Sequence, residues 1–226
     1  MNYLSSNIKF LKHRRKQTVA GRAQLSVVKE KHIKQAEKNS NNVTLPQLIS
    51  FSQAFGLSID ALVNVDLATK YTIAKNIKLL VIDIDGVLTD GGMYYTENGD
   101  ELKKFNTKDG LAIKRLVKNG MQVAFLSNGK NTALIQSRAK LLGVQKIYVG
   151  FDDKEKVLDK WVKELKISYK NVAYVGDDVN DLKVITKAGF SACPADAMDI
   201  IKQKATIILT RNGGDACVRE MIDNYL

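Results

Sequence analysis

The sequence predicts an α/β protein, a Rossmann-like parallel sheet with helices on both faces, preceded by a small all-α domain. From residue 78 onward, apolar runs of strand length alternate with segments of helical spacing, and strand followed by helix, repeated, builds a parallel sheet covered on both faces. Residues 1–66 lack strand-like alternation and carry helical spacing instead. Charge divides the chain in the same place. Residues 1–77 hold 12 Lys and Arg against 4 acids, and the remainder holds 23 against 20. Such asymmetry is expected of two domains with different partners.

Composition narrows the class. An apolar content of 45% over 226 residues is enough for a real core. Two cysteines, Cys193 and Cys217, are too few for a disulfide framework and fit a reducing cytosol. The early basic run His13-Arg14-Arg15-Lys16 leads into polar sequence rather than a signal-peptide core. No apolar stretch approaches the roughly 18 residues that span a bilayer. A cytoplasmic protein with no membrane partner is expected.

In the first segment the helical spacing is seen at Ile8, Leu11 and Lys12, at Leu45, Leu48, Ile49 and Phe51, and at Ile59, Leu62 and Val63. Breaks fall at Ser40-Asn41-Asn42 and Gly56, with Ser58 as the N-cap of a last short helix. Residues 67–77 read as a linker with some helical character. The segment resembles the helix-turn-helix domain of phage-repressor-like (XRE) regulators through Asn7 to Lys12, Ile33 with Glu37, Leu45-Pro46-Gln47-Leu48, and Phe55 to Leu62. That resemblance implies DNA as a partner of residues 1–66, with Lys29, Lys31, His32 and Lys34 placed to neutralise phosphates. The DNA-reading centre departs from the pattern: Val19 stands where a polar Gln is usual, Arg22 for a core Leu, and Val27 for a small turn residue. The other readings are a solvated basic face and a structural role in assembly.

In the second segment, Leu79 to Ile82 is a continuous apolar run ended by Asp83-Ile84-Asp85-Gly86. A buried parallel strand delivers such acids to the carboxyl edge of a sheet, where open α/β sheets bind ligands. Two aspartates two residues apart on extended chain share one side, so Asp83 and Asp85 can serve one site. Two short β-prone runs around Asn98-Gly99 predict a hairpin, standing over the site as a flap. Asp109-Gly110 opens a helix whose Leu111, Ile113, Leu116 and Val117 are expected to face the sheet. The strand Gln122 to Leu126 ends in Ser127-Asn128-Gly129 at a helix start, a natural phosphate cradle, although that tripeptide is also an ordinary helix cap. A helix over 132–142, a strand over 146–149 and a helix from Lys154 to about Leu165 follow. The strand Asn171 to Val175 ends in Gly176-Asp177-Asp178-Val179-Asn180-Asp181. Three carboxylates so clustered repel unless a cation or protons offset them, which argues for a divalent metal, and a two-carboxylate site suits Mg²⁺ better than Ca²⁺ or Zn²⁺. A strand over 190–193, a helix near 196–202, a strand over 205–209 and a helix over 215–225 complete the alternation.

These residues together resemble the haloacid dehalogenase superfamily of phosphohydrolases, and more narrowly its capless branch typified by 3-deoxy-D-manno-octulosonate 8-phosphate phosphatases. The resemblance covers about residues 78–226. It rests on Asp83 to Gly91, on Asn98 to Lys103 with Phe105-Asn106 and Asp109-Gly110, on Val172 to Asp178, and on Val218-Arg219-Glu220. It implies a phosphomonoester hydrolase in which Asp83 forms an aspartyl-phosphate and Asp85 is the acid and base. Mg²⁺ would be held by Asp83, Asp177 and the carbonyl of Asp85. Lys154 and Ser127, or Asn128 in its place, would hold the transferring oxygens, with Asp178 and Asp181 orienting Lys154 or metal-bound water. The implied substrate is a sugar acid phosphate, octulosonate 8-phosphate or a nonulosonate 9-phosphate such as the KDN or N-acetylneuraminate form. The implied assembly is a homotetramer in which a neighbour closes the site.

Where the branch reads Thr-Gly-Arg, this chain reads Ser127-Asn128-Gly129-Lys130, and Lys in place of Arg loses a bidentate fork for a substrate carboxylate. Asp215 and Cys217 stand where the branch is small and neutral. Lys103, Arg138 and Arg219 are candidates for substrate or subunit contacts, with ordinary surface ion pairs as the other reading. The alternative function is a DNA-binding regulator whose phosphatase-like domain senses a sugar phosphate.

Overall fold

The computed structural model describes residues 2–16, 28–55, 57 and 59–226. The expectations placed on Val19, Arg22, Val27, Gly56 and Ser58 lie outside the described residues. The chain divides into two compact units, residues 1–72 and 73–226.

The first unit contains α1 (Leu4–Lys16), α2 (Glu30–Lys38), α3 (Leu45–Phe55) and α4 (Ile59–Asn64). Helix α5 (Leu67–Lys75) occupies most of the expected linker. Leu4, Ile8, Ile33, Phe51, Phe55 and Leu62 form the centre of its core. Asn7 is fully buried and spends its amide on backbone. Its Nδ2 donates to the carbonyls of Leu62 (2.9 Å) and Val65 (2.6 Å), and its Oδ1 accepts from the Leu67 amide (3.1 Å). A buried amide so satisfied joins α1 to the α4–α5 turn, its desolvation offset by these three hydrogen bonds.

The second unit is a six-stranded parallel sheet. Its strands are β1 (Leu79–Ile82), β4 (Gln122–Ser127), β5 (Lys146–Val149), β6 (Val172–Val175), β7 (Phe190–Cys193) and β8 (Ile207–Ile208), in the order β5-β4-β1-β6-β7-β8. All four β1 residues are buried because both faces are covered. Leu80 and Ile82 pack into one core with α6 (Thr107–Lys118), α7 (Thr132–Leu142) and α11 (Cys217–Tyr225). Leu79 and Val81 pack into the other with α8 (Lys154–Glu164), α9 (Leu182–Lys187) and α10 (Asp199–Lys204). The period-two alternation of a strand makes this division. Chain order reverses on the two sides of β1, so the carboxyl ends of β1, β4 and β6 open at a topological switch point.

A two-stranded antiparallel hairpin, β2 (Tyr94–Tyr95) and β3 (Glu101–Leu102), follows β1 in the sequence. Its turn is closed by Gly99, at φ +85°, whose amide donates to the Thr96 carbonyl. The hairpin predicted around Asn98-Gly99 is thus formed, with Gly99 and not Asn98 at positive φ.

Helix α6 corrects one expectation. It starts at Thr107, with the Asn106 side chain capping the Lys108 amide at 2.9 Å. Asp109, Gly110, Ala112, Ile113 and Leu116 form its buried face, whereas Leu111 is 64% exposed. Two residues before Ile113 is about 200° around a helix, so Leu111 cannot share that face. The last two helices also start later than predicted, at Asp199 and Cys217.

Candidate active site

The carboxyl end of β1 places Asp83 at the sheet edge, where its amide donates to the Val175 carbonyl of β6 at 3.0 Å. The chain then turns through Gly86 at φ +80°. A Cβ there would lie 2.0 Å from Asp177 Oδ2, at a φ that L side chains rarely adopt, so a side chain at position 86 would be strained and would displace the Asp177 carboxylate. Asp83 is 4% exposed. Its Oδ1 accepts from the Ile84 amide at 2.8 Å and its Oδ2 pairs with Lys154 Nζ at 2.9 Å.

Lys154, at the first turn of α8, is buried rather than solvated as most lysines at such junctions are. It bridges Asp83 and Asp181, the latter at 2.6 Å. Asp181 is saturated: its Oδ1 also accepts from the Tyr174 hydroxyl at 2.5 Å, and its Oδ2 accepts from the amides of Asp177 (2.9 Å) and Asp178 (3.3 Å). The repulsion expected among the β6-loop acids is therefore offset in part by Lys154 and by these donors. Asp178 is spent differently, its carboxylate accepting from the Val179 amide at 2.6 Å to cap a single 3₁₀ turn.

Asp83, Asp177 and Asp181 bring carboxylate oxygens within 4.8 Å of one another. Since Asp181 has no lone pair to spare, Asp83 and Asp177 are the pair able to hold a cation. Asp177 Oδ1 is buried without a hydrogen-bond partner. Burial, then the charge of Asp181, pushes the Asp177 carboxyl up to about 7. Burial and Asp181 likewise push Asp83 well above its ordinary value, against the pull of Lys154. An orphaned acceptor among like charges is what a hard divalent cation relieves, so the residues fit one.

The sign of the Asp177 shift gives an expected result. The folded protein holds this proton up to about pH 7 and the unfolded chain releases it near 4. Stability of the metal-free protein therefore falls as pH rises through that window. Asp177→Asn is expected to melt above the wild type at pH 8, by about 1–3 kcal/mol of stability, with little difference at pH 4.5. Mg²⁺ added at pH 8 is expected to raise the melting temperature of the wild type but not of the variant.

Two adjoining spaces open over these residues. The inner one, about 200 Å³, is lined by Asp83, Asp85, Ser127, Asn128, Asp177 and Asp178, among others. The outer cleft, about 810 Å³, runs from Asp85 and Ser127 past the hairpin residues Tyr95 and Glu101 to Lys130 and Phe151. Asn128 is engaged in loop structure: its Nδ2 donates to the carbonyls of Gly150 (3.1 Å) and Asp152 (3.3 Å), and its Oδ1 accepts from Asn180 (3.2 Å). Ser127 thus presents the hydroxyl at this strand end.

Lys103 was identifiable only as a candidate contact residue. It reaches under the hairpin, with its Nζ 2.5 Å from Asp85 Oδ1 and 2.6 Å from Glu101 Oε1. Its burial works against the charge, but the hydrogen bonds it donates to Asp85 and Glu101 outweigh that and raise its pKa. Arg138 makes no ion pair among the described residues; its guanidinium donates to the Asn106 carbonyl (3.4 Å) and lies 5.0 Å over the Phe105 ring. Arg219 pairs with Asp223 on its own helix. The sequence reading placed Asp109 only at a helix start and in the motif; it is buried and accepts from the Arg219 amide at 2.7 Å, capping α11 from another helix. Burial pushes its carboxyl up to about 6. The sequence reading missed the packing of Gly213, where a Cβ would lie 2.0 Å from the Gly86 carbonyl oxygen. Cys217 is buried beneath that contact, its thiol donating to the Val87 carbonyl.

A parallel sheet whose central strand presents Asp-x-Asp opposite a buried lysine and a second acidic loop defines a class of phosphate-ester hydrolase. A family model described as haloacid dehalogenase-like hydrolase matches residues 143–221. The 3-deoxy-D-manno-octulosonate 8-phosphate phosphatase KdsC of Escherichia coli K12 is 39% identical over 153 residues, 68% of this chain and 81% of that protein. The chain belongs to the haloacid dehalogenase-like hydrolases, as one of their phosphatases. Among solved structures, a probable yrbi family phosphatase from Pseudomonas syringae superposes with TM-score 0.68 at 42% identity, covering 70% of this chain and 90% of that one. The 3-deoxy-D-manno-octulosonate 8-phosphate phosphatase of Moraxella catarrhalis, in complex with magnesium, phosphate and KDO, superposes with TM-score 0.67 at 36% identity and the same coverages.

Proposed function

We propose that this protein is a Mg²⁺-dependent phosphomonoesterase that works through an aspartyl-phosphate on a 3-deoxy-2-keto sugar acid phosphate. The candidate substrates are octulosonate 8-phosphate and a nonulosonate 9-phosphate. The observation that carries the proposal is the buried Asp83 held against Lys154, beside the orphaned oxygen of Asp177. The octulosonate phosphatases among its relatives point to the substrate class.

Asp83 attacks phosphorus with a carboxylate oxygen as the bond from phosphorus to the sugar oxygen breaks. That oxygen takes the electron pair, and Asp85 supplies its proton. Asp85 then removes a proton from the water that attacks the phosphoenzyme, releasing phosphate and restoring Asp83. Lys154 and Ser127 hold the equatorial oxygens, where charge stabilisation is most effective. Asp83, Asp177 and the Asp85 carbonyl would hold Mg²⁺, which supplies a counter-charge to the phosphate dianion. Asp181 keeps Lys154 in place, and Asp178 caps the turn of the loop that carries Asp177 and Asp181.

Lys130 supports the sugar-acid reading. It is exposed in the outer cleft, and no ion-pair partner is found for it among the described residues, so it is free to meet a second anionic group beyond the phosphate. Phosphate release with Mg²⁺ from a panel of neutral and acidic sugar phosphates tests the function. Selective turnover of a keto sugar acid phosphate is expected. Lys130→Ala is expected to raise KM for that substrate about fivefold, the worth of one exposed ion pair, and to leave neutral sugar phosphates unchanged.

The proposal extends to a homotetramer, for which Met93, Tyr94, Tyr95 and Leu102 supply an exposed apolar flap for a neighbour to cover. The regulator reading has the exposed Lys29, Lys31 and Lys34 on its side. No turnover on any panel member would favour it, and DNA binding by the full chain would then be measured.

A further inference from the structure

The hairpin and the proposed acid–base residue are joined by one side chain. Lys103 lies just past the end of β3, and its side chain is 7% exposed although it lines a cleft open to solvent. It holds two carboxylates, Glu101 from the hairpin and Asp85 from the β1 loop. On Asp85 it takes Oδ1, which leaves Oδ2 for the oxygens that react.

We propose that Lys103 is a positioning residue for proton transfer, fixing the Asp85 carboxyl through Oδ1 while the proton comes and goes on Oδ2. The inference rests on Asp85 being the acid–base group of the function proposed above. An ammonium on Oδ1 is compatible with both forms of Asp85, because a carboxylic acid protonated on Oδ2 still accepts through Oδ1. Asp85 itself is 40% exposed on its side chain, so its rotamer is set by this contact more than by packing. The same lysine ties β3 to the site. The flap therefore lies down in the conformation in which Asp85 is aimed, and lifting it requires breaking the bridge or carrying Lys103 away from Asp85. Proton delivery to the leaving group is thereby linked to the position of the flap.

The role is separable from a structural one by the leaving group. An alkyl sugar oxygen needs a proton as it departs, while p-nitrophenolate leaves without one. The measurement is kcat/KM, which covers steps through departure of the leaving group, on octulosonate 8-phosphate and on p-nitrophenyl phosphate. The enzymes are wild type, Lys103→Met, Lys103→Arg and Asp85→Asn, each checked for its melting temperature. Lys103→Met is expected to lose about 100-fold on the sugar phosphate and less than about threefold on p-nitrophenyl phosphate. Lys103→Arg, which can still donate to Oδ1, is expected to recover at least about tenfold of that loss.

Equal losses on both esters, or no loss on either, would overturn the positioning role provided Asp85→Asn shows the leaving-group difference. If Asp85→Asn itself loses equally on both, the acid–base assignment fails instead and takes this inference with it.

Discussion

Asp83→Asn is expected to stop phosphate release, lowering kcat by roughly 10⁴-fold or more, as loss of a nucleophile does in enzymes that work through a covalent intermediate. The amide is nearly isosteric with the carboxylate but offers no oxygen able to bond to phosphorus. The substitution leaves the Lys154–Asp181 pair intact and removes a buried charge from among three acids. The variant is therefore expected to fold and to melt within a few degrees of the wild type, which separates chemistry from structure. Rapid-quench labelling with a ³²P-substrate is expected to capture acid-stable protein-bound phosphate in the wild type and none in the variant. Turnover by Asp83→Asn within about tenfold of wild type would place the nucleophile elsewhere or make water the direct attacker.

The second large effect is expected at Lys154, where catalysis and stability coincide. Lys154→Met keeps the length of the side chain and removes the charge between Asp83 and Asp181, all three side chains being at most 6% exposed. Breaking a buried pair by removing one partner costs about 3–5 kcal/mol, because the remaining charges stay desolvated. For a unit of this size that is roughly a 10 °C fall in melting temperature, together with loss of measurable turnover. Protonating one of the stranded carboxylates relieves the penalty, so the variant is expected to recover part of its stability between pH 7 and pH 5. A melting temperature unchanged by the substitution would show that the pair contributes little net stability.

These two residues differ in how far they were legible from the chain. Asp83 lies at the end of an apolar run of strand length, and the Asp-x-Asp-Gly pattern is local, so both its position at a sheet edge and its chemistry can be read directly. Lys154 had only a weak local signal, one lysine where a strand meets a helix. Its burial depends on Asp181, 27 residues onward, and on Tyr174, neither of which marks Lys154 in the sequence. Lys103 is intermediate, since alternation along β3 puts it on the side of Glu101, yet its grip on Asp85 spans 18 residues of intervening loop and hairpin.

Leu111 shows the opposite failure. Its apolar character implied a core position, but the phase of α6 is set by Ile113, Leu116 and the buried Asp109, and that phase turns Leu111 to solvent. A short helix with apolar residues on more than one side does not declare its inward face.

The sequence by itself determined the alternation of strands and helices, the hairpin at Asn98-Gly99, and the acids that end β1 and β6. Each is encoded within a few residues, by side-chain period, by turn chemistry or by a polar group closing an apolar run. Only the tertiary structure decided which acids are free to bind a cation and which are already satisfied, which lysines are buried, and which helix face meets the sheet. Those outcomes depend on partners far apart in the chain, and desolvation, which sets both the worth of an ion pair and the direction of a pKa shift, exists only once the chain has folded around them.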